Sequence, residues 1–311
     1  MNIVNKLKSI SDETRLRLLY LLVNYELNVN EVVAVVEMIQ SRISRHLKIL
    51  AAAGLLKSRR DGGFVYYSGV VDDENLLVMN LVTGSLEKDP VCQNDLKRAE
   101  ALIRERKTRT KRFFESVAAT WEARKSEVLG GLDLNRLIAD KIGSQQVVAD
   151  LGCGTGSLIA VLKQQAGTVI GVDSSPGMLE QARQQTHDMN GVNIRLGELE
   201  YLPFRDQEAD AAVMNMVLHH VSEPIKVLAE AGRILKPGGV FIITDFDKHN
   251  KTTVREKIGG AWFGFSRQEM EAWLFEVGFV PTGLERFSVN YDLTVNIFSA
   301  IKEEPSVKAD G

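Results

Sequence analysis

Two kinds of apolar periodicity divide the chain. Over the first ninety or so residues apolar positions recur at three- and four-residue intervals, whereas from Gln146 short apolar runs alternate with helical stretches. A helix start is predicted at Ser11-Asp12-Glu13-Thr14, where a capping hydroxyl and acidic side chains suit the unpaired amides of a first turn. Leu16, Leu19, Leu22 and Val23 then fall at helical spacing. A second helix follows the Asn28/Asn30 pair and buries Val32, Val33 and Val36. A third covers residues 40–53, and Gly54 stands where a left-handed stop belongs. Strands are expected over 55–60 and 64–69, joined by Asp61-Gly62-Gly63, a hairpin-turn composition. Helix, turn, helix and β-wing make a winged helix-turn-helix, mainly α.

The second pattern is that of a doubly wound α/β sheet. Strands are expected over 147–150, 169–173, 193–197, 211–215 and 240–245, with helices between them. A helix over 267–277, stopped by Gly278, precedes two strands near 279–287 and 294–302 that read as a closing hairpin. Between the patterns, residues 72–86 form a helix whose Leu76, Leu77, Met79, Leu81 and Val82 suit pairing with a second copy. Pro90 ends it, and another helix from about Asn94 carries the basic run 104–112. That run lies near DNA phosphates or on a solvated face; the sequence leaves both open. Phe113, Phe114, Val117 and Trp121 are expected to pack as a flap over the second domain. The fold class is therefore mixed: domain 1–87, a basic helical linker 88–112, and a Rossmann-like domain 113–311.

Length and composition agree with two soluble domains: 311 residues, 44% hydrophobic and 25% charged. No apolar run reaches the roughly 18 residues of a membrane span, and charge interrupts the first 25 residues, so no signal peptide is expected. Two cysteines, Cys92 and Cys153, are too few for a disulfide framework or a multi-thiolate metal site. A cytoplasmic location is the expectation. The net charge of −3 hides an asymmetry: +4 over residues 1–70, −4 over 71–87, +5 over 88–112 and −8 beyond. A basic front and an acidic back suit different partners.

The third helix gives the basic front its chemistry. Ile43, Leu47 and Leu50 fall on one face, leaving Gln40, Ser41, Arg42, Ser44, Arg45, His46 and Lys48 for a major groove, where Arg reads guanine and Lys and hydroxyls hold phosphate. Lys57, Arg59 and Arg60 lie on the wing. Asp12 to Leu19 (DETRLRLL), Ser44 to Leu50 (SRHLKIL), Gly54-Leu55-Leu56 and Val65-Tyr66-Tyr67 resemble the ArsR family of bacterial repressors, which implies a homodimer that leaves its double-stranded DNA operator when an effector binds. There are departures. The stretch where the family often has metal-binding cysteines reads Asn28-Val29-Asn30-Glu31, and residues 72–86 hold Asp72, Asp73 and Glu74 but no histidine. Soft or imidazole ligands are missing from both places, so no metal is expected. Ile39 stands where the family usually has a capping serine, a role left to Gln40 or Ser41.

The acidic back carries Ala-Asp-Leu-Gly-Cys-Gly-Thr-Gly at 149–156, a strand entering a glycine turn and a helix. Asp173 ends the next strand 17 residues after Gly156, where an acid takes two hydroxyls of a ribose. The third glycine comes one residue earlier than in the nicotinamide fingerprint. With Leu202-Pro203-Phe204 and the Leu235-Lys-Pro-Gly-Gly turn, about 190 residues resemble class I S-adenosylmethionine-dependent methyltransferases. That resemblance implies S-adenosylmethionine or S-adenosylhomocysteine bound by Asp150, Gly152, Gly154, Gly156, Asp173, Ser174, Met178, Glu198, Leu199 and Asn215. Asp173 would hold the ribose, Glu198 and Leu199 the adenine, and Asn215 would lie near the methionine moiety. Glu198 stands where the family often has aspartate.

Catalytic residues are not defined. His219, His220 and Asp245 lie where a substrate pocket opens, or are a packed histidine pair and a cap. Residues 247–265, with Trp262, Phe263 and Phe265, read as a lid or as an aromatic cluster. Both halves in this order resemble ArsR–methyltransferase fusions, among them S-adenosylhomocysteine-responsive regulators of the methionine cycle. The resemblance implies a repressor whose second domain is the effector pocket. The alternative is an active methyltransferase on an unidentified small molecule, with the front domain controlling its own operon. A nucleic-acid methyltransferase is disfavoured, because Asn215-Met216-Val217-Leu218 is not a base-amine motif of the Asn/Asp-Pro-Pro-Tyr kind.

Overall fold

The computed structural model describes residues 3–304. These divide into two units between Arg106 and Lys107. The first holds α1 (Ile3–Ile10), α2 (Glu13–Asn24), β1 (Leu27–Asn28), α3 (Val29–Val36), α4 (Gln40–Ala52), β2 (Leu56–Asp61), β3 (Phe64–Gly69) and α5 (Leu76–Leu86). Its core packs Leu18, Leu22, Leu27, Val32, Ile43, Leu47 and Leu50, all fully or almost fully buried. The wing is the antiparallel β2–β3 hairpin, with β1 added beside β3. This is the winged helix-turn-helix that the sequence predicts.

Local chemistry differs from expectation at several ends. Asp12, not Ser11, caps α2, accepting from the Arg15 amide at 3.0 Å, while the Ser11 hydroxyl donates to Lys8 O. Asn28 and Glu31 form a reciprocal capping box on α3. Neither Gln40 nor Ser41 caps α4: Ile39 is its N-cap residue and makes no side-chain cap.

The stretch expected as a linker is helix α6 (Pro90–Val117), 28 residues long. Pro90 opens it rather than standing before it, because a missing amide proton costs nothing in a first turn, and the Asp89 carboxylate accepts from the Cys92 amide at 2.9 Å. Nor is its first half a free connector, since Cys92, Ala99 and Ile103 are buried in the first unit's core. The α5 stripe also splits. Val78, Met79 and Val82 pack inside the unit, whereas Leu76, Leu77 and Leu81 stay exposed.

The second unit holds α7 (Trp121–Leu129), α8 (Leu134–Ile142), β4 (Gln145–Leu151), α9 (Ser157–Leu162), β5 (Ala166–Asp173), α10 (Pro176–Thr186), β6 (Val192–Leu196), β7 (Ala209–Asn215), α11 (Pro224–Ile234), β8 (Leu235–Phe246), α12 (Thr252–Ile258), α13 (Arg267–Glu276), β9 (Phe279–Val289) and β10 (Leu293–Lys302). Strand order is β6-β5-β4-β7-β8-β10-β9, parallel from β6 to β8, with β10 antiparallel to β8 and β9. The order reverses between β4 and β7, the point where ligands settle against an open α/β sheet. Ile138 and Ile142 of α8 pack with Val148, Val213 and Ile242 of the central strands. Residues 247–265 resolve as a packed cluster: Trp262, Phe263 and Phe265 are buried, and the Trp262 indole donates to Val221 O at 2.7 Å.

Arg17 on α2 grips the buried Asp95 of α6 with two nitrogens and donates to Val36 O at 3.1 Å. Replacing Arg17 by Met would strand that carboxylate. Chemical denaturation should show a loss of about 3 kcal/mol or more in the first unit's unfolding.

Candidate functional site

In the first unit, α4 turns Ile43, Leu47 and Leu50 inward. Gln40, Ser41, Arg42, Arg45 and Lys48 are exposed, Ser44 is half-buried, and Ser41, Ser44, Arg45 and Lys48 line a shallow open depression. Two residues expected to meet DNA, His46 on α4 and Arg59 on the wing, are engaged within the fold. His46 is on the packed side, its Nδ1 3.8 Å from Asp12, and burial lowers its pKa. One helical position carries it round with Leu47. Arg59 is held bidentately by Glu26 at 2.8 Å and lies over the Tyr66 ring, so its guanidinium serves the wing's own packing. Lys57 and Arg60 of the wing remain exposed.

In the second unit, the glycine turn is laced to the end of β5. Gly152 and Cys153 amides donate to Val172 O at 2.8 and 2.9 Å, and the Gly154 amide donates to an Asp173 carboxylate oxygen at 3.0 Å. The other Asp173 oxygen accepts from Ser175 at 2.9 Å. Burial raises the Asp173 pKa, and these amides partly offset it. Gly152 and Gly156 answer to packing: a Cβ on Gly152 would lie 2.6 Å from Val217, and one on Gly156 3.1 Å from Ala182. Gly154 differs. It also has positive φ, at 53°, but a Cβ there would enter open space bounded only by the Trp121 indole nitrogen at 3.9 Å.

Asp150, at the end of β4, is 1% exposed, and its Oδ2 has no hydrogen-bond partner among the described residues. Burial pushes its carboxyl up to about 7, opposed by the Lys125 charge and reinforced by Asp173. Lys125 is itself lowered by burial, against the pull of Glu122 and Asp150. Helix α7 thus brings Trp121, Glu122 and Lys125 to the turn, with Glu122 bonded to the Thr155 hydroxyl. Of these, Glu122 and Lys125 escape the sequence reading. Their spacing of three, with Trp121 four before Lys125, puts all three along one helix face, which is the signal that could have found them.

The remaining expected ligand residues differ in exposure. Met178 and Leu199 are buried, Ser174 is half-buried and Glu198 is exposed. The Asn215 amide is engaged at both ends, donating to Asn135 Oδ1 at 3.0 Å and accepting from the Thr244 hydroxyl at 2.9 Å. A group that needs an ammonium partner (Asp150), an acid at a strand end (Asp173) and an open glycine cradle (Gly154) fit an adenosyl amino acid.

The catalytic candidates are interior groups. Asp245 accepts from the His219 ring at 2.9 Å, from the His219 amide at 3.0 Å and from the Phe246 amide at 2.7 Å. His220 contacts Gly259 O through Nδ1 at 3.2 Å and packs edge-on against Phe114 with ring centroids 4.7 Å apart. Burial, then His219, holds its pKa well below the ordinary histidine value. Nε2 of both histidines lacks a hydrogen-bond partner among the described residues. Among the described residues no group of three or more His, Cys, Asp and Glu side chains could hold a metal ion, and no helix is long and apolar enough to cross a membrane.

A winged helix followed by a doubly wound sheet with this turn defines a DNA-binding module joined to a methyltransferase fold. Residues 12–58 match the family model for bacterial regulatory proteins of the arsR family, and residues 149–243 match that of a methyltransferase domain. The chain therefore carries an ArsR-family helix-turn-helix and a methyltransferase domain.

Over 140 residues it is 37% identical to an uncharacterized 37.1 kDa protein in transposon Tn4556 of Streptomyces fradiae, covering 43% of this chain and 38% of that one. Over 105 residues it is 36% identical to a demethylmenaquinone methyltransferase of Staphylococcus saprophyticus, covering 33% and 44% respectively. Each match spans less than half of the relative's own length. Among solved structures, a chain of the complex built around the Haloferax volcanii Trm112 methyltransferase activator is similar with a TM-score of 0.55 at 17% identity, covering 63% of this chain and 98% of that chain. The cyclase SpnF gives 0.53 at 17% identity, covering 63% and 95%. At such identities the likeness is one of fold alone, and the second name shows that this fold also hosts other chemistry.

Two outcomes test the site. An acid raised by burial favours the folded state below its unfolded value near 4, and that stability is lost as pH rises through about 7. Asp150→Asn should therefore flatten stability between pH 4 and 7 and raise it at pH 8 by about 1–3 kcal/mol. Thermal melts across that range, compared with wild type, check the sign. On the wing, Arg60→Ala should reduce the salt slope of DNA binding by about one unit, whereas Arg59→Ala should lower thermal stability instead.

Proposed function

We propose that the chain is a transcriptional repressor whose methyltransferase domain binds S-adenosylmethionine or S-adenosylhomocysteine as effector. Its partners in this reading are double-stranded operator DNA and a second copy of the chain. The observation that carries it is the buried Asp150 carboxylate with an unengaged oxygen beside an open glycine cradle, in the same chain as an exposed basic recognition face. A buried anion without a partner is costly, and the ammonium of the ligand's amino-acid part supplies one. Asp173 takes the ribose hydroxyls and Leu199 packs beside the adenine.

Exposed Leu76, Leu77 and Leu81 on α5, with Ile3 and Leu7 on α1, support association with a second copy. Dimeric winged helices read two half-sites, so a change in their separation alters DNA affinity. The two ligands differ by a methyl, worth about 1–3 kcal/mol, and by the sulfonium charge. In this reading S-adenosylhomocysteine is the first choice of effector, on the resemblance to S-adenosylhomocysteine-responsive regulators, and the place of action is the cytoplasm.

A second reading is a working methyltransferase that acts on an unidentified small molecule. It draws on the Asp245–His219 pair, whose buried Nε2 has no hydrogen-bond partner among the described residues. Transfer to a ready nucleophile needs little beyond in-line positioning, so the two readings share one ligand site.

Fluorescence anisotropy with labelled duplex separates them. Arg45→Ala should cost about 1–3 kcal/mol of DNA affinity. Asp173→Ala should bind DNA as the unliganded wild type does and no longer respond to either ligand. An Asp173→Ala protein that still responds would overturn the sensor reading.

A further inference from the structure

Two consecutive residues of α6, outside both domain matches, make contacts with different groups. Arg106 is fixed to the helix-turn-helix. Its guanidinium pairs with Glu31, the side chain that closes the α3 capping box through the Asn28 amide, and lies 6.0 Å from the Tyr66 ring centre. Eight residues earlier, Arg98 donates to Val35 O at 3.1 Å and pairs with Glu37 at 2.9 Å. Eight helical residues span about 12 Å, which is also the length of α3, so α6 holds both ends of α3.

Lys107, the next residue, faces a different set of groups, all in the methyltransferase unit. Its ammonium lies 3.0 Å from Glu200 and 3.2 Å from Glu223. Glu200 is 4% exposed and belongs to the turn Glu198–Tyr201, closed by the Tyr201 amide on Glu198 O at 3.1 Å. That turn contains the two residues assigned above to the adenine. Burial works against the Lys107 charge, but the two carboxylates outweigh it and raise its pKa. A buried carboxylate does not readily give up such a partner, because losing it leaves an uncompensated charge.

We infer that Lys107 is the coupling residue of the sensor: adenine-site occupancy moves the Glu198–Tyr201 turn, Glu200 carries Lys107 with it, and α6 passes the shift through Arg106 and Arg98 to α3. This rests on the effector reading proposed above and adds its route. Lys107 touches neither ligand nor DNA in it, so its removal should uncouple two intact binding sites. Reciprocity follows from linkage: DNA binding should lower affinity for the releasing ligand by the same factor.

The test uses the full-length protein, S-adenosylhomocysteine, and a duplex enriched from a random-sequence pool by the unliganded wild type. Wild type should lose DNA affinity on ligand addition by about tenfold, within the usual range for coupled sites. Lys107→Met and Glu200→Gln should each bind ligand by calorimetry, and unliganded DNA by anisotropy, within about threefold of wild type, yet shift less than about twofold on ligand addition. The charge swap Lys107→Glu with Glu200→Lys should recover part of the shift, which a merely destabilised protein would not. Folded Lys107→Met and Glu200→Gln proteins that keep the full shift overturn the coupling role and leave the sensor standing. A wild type that binds the ligand and shows no shift overturns both.

Discussion

Two carboxylates at the ends of neighbouring parallel strands set the conditions for the rest of the second unit. Asp150 and Asp173 end the neighbouring strands of the β4–β5 ladder, and the Asp173 charge adds to the cost of ionising Asp150. The protein resolves them differently. Asp173 is surrounded by amides from the glycine turn and the start of α10, so its charge is held by fixed dipoles. Asp150 has the Lys125 charge acting on it and an oxygen with no partner among the described residues. The glycine turn, with open space over Gly154, follows directly on this buried acid in the chain, and α7 brings the Lys125 charge toward it. A group that destabilises the unliganded protein and is satisfied by a cationic ligand is the physical form of a binding site.

The same reasoning separates binding from catalysis. His219 and Asp245, which the sequence leaves either as pocket residues or as a packed histidine and a cap, bond to each other, and Asp245 also accepts from backbone amides. Sequence position puts residues near a strand's carboxyl end, and it does not say which way their side chains turn. In the proposed reading effector binding needs only the Asp150–Asp173 end of the site, whereas turnover would need an acceptor beside it. For this reason the front domain weighs heavily: a recognition helix makes biological sense of a ligand site whether or not a methyl leaves it.

Legibility in the sequence followed the range of the interactions involved. The winged helix and the sheet could be read because both rest on short-range periodicity and on glycine turns such as 152–156. The α6 start at Pro90 could have been read too, from Asp89 followed by proline, had the proline been taken as a first-turn residue rather than a breaker. Arg59 and His46 could not. Whether an arginine on a wing meets phosphate or Glu26, 33 positions away, depends on tertiary placement. Likewise Lys107 looked like one basic residue among nine in 88–112. Its distinction comes from Glu200 and Glu223, which are more than ninety residues downstream.

The most direct measurement is a titration of the preformed protein–DNA complex with S-adenosylhomocysteine and S-adenosylmethionine in separate experiments, with DNA release followed by anisotropy and methyl transfer followed in parallel by mass spectrometry. Release by the homocysteine form at lower concentration than by the methionine form is the expected result. Both ligands binding the protein with no change in its hold on DNA would contradict a sensor and leave a tethered enzyme as the better description.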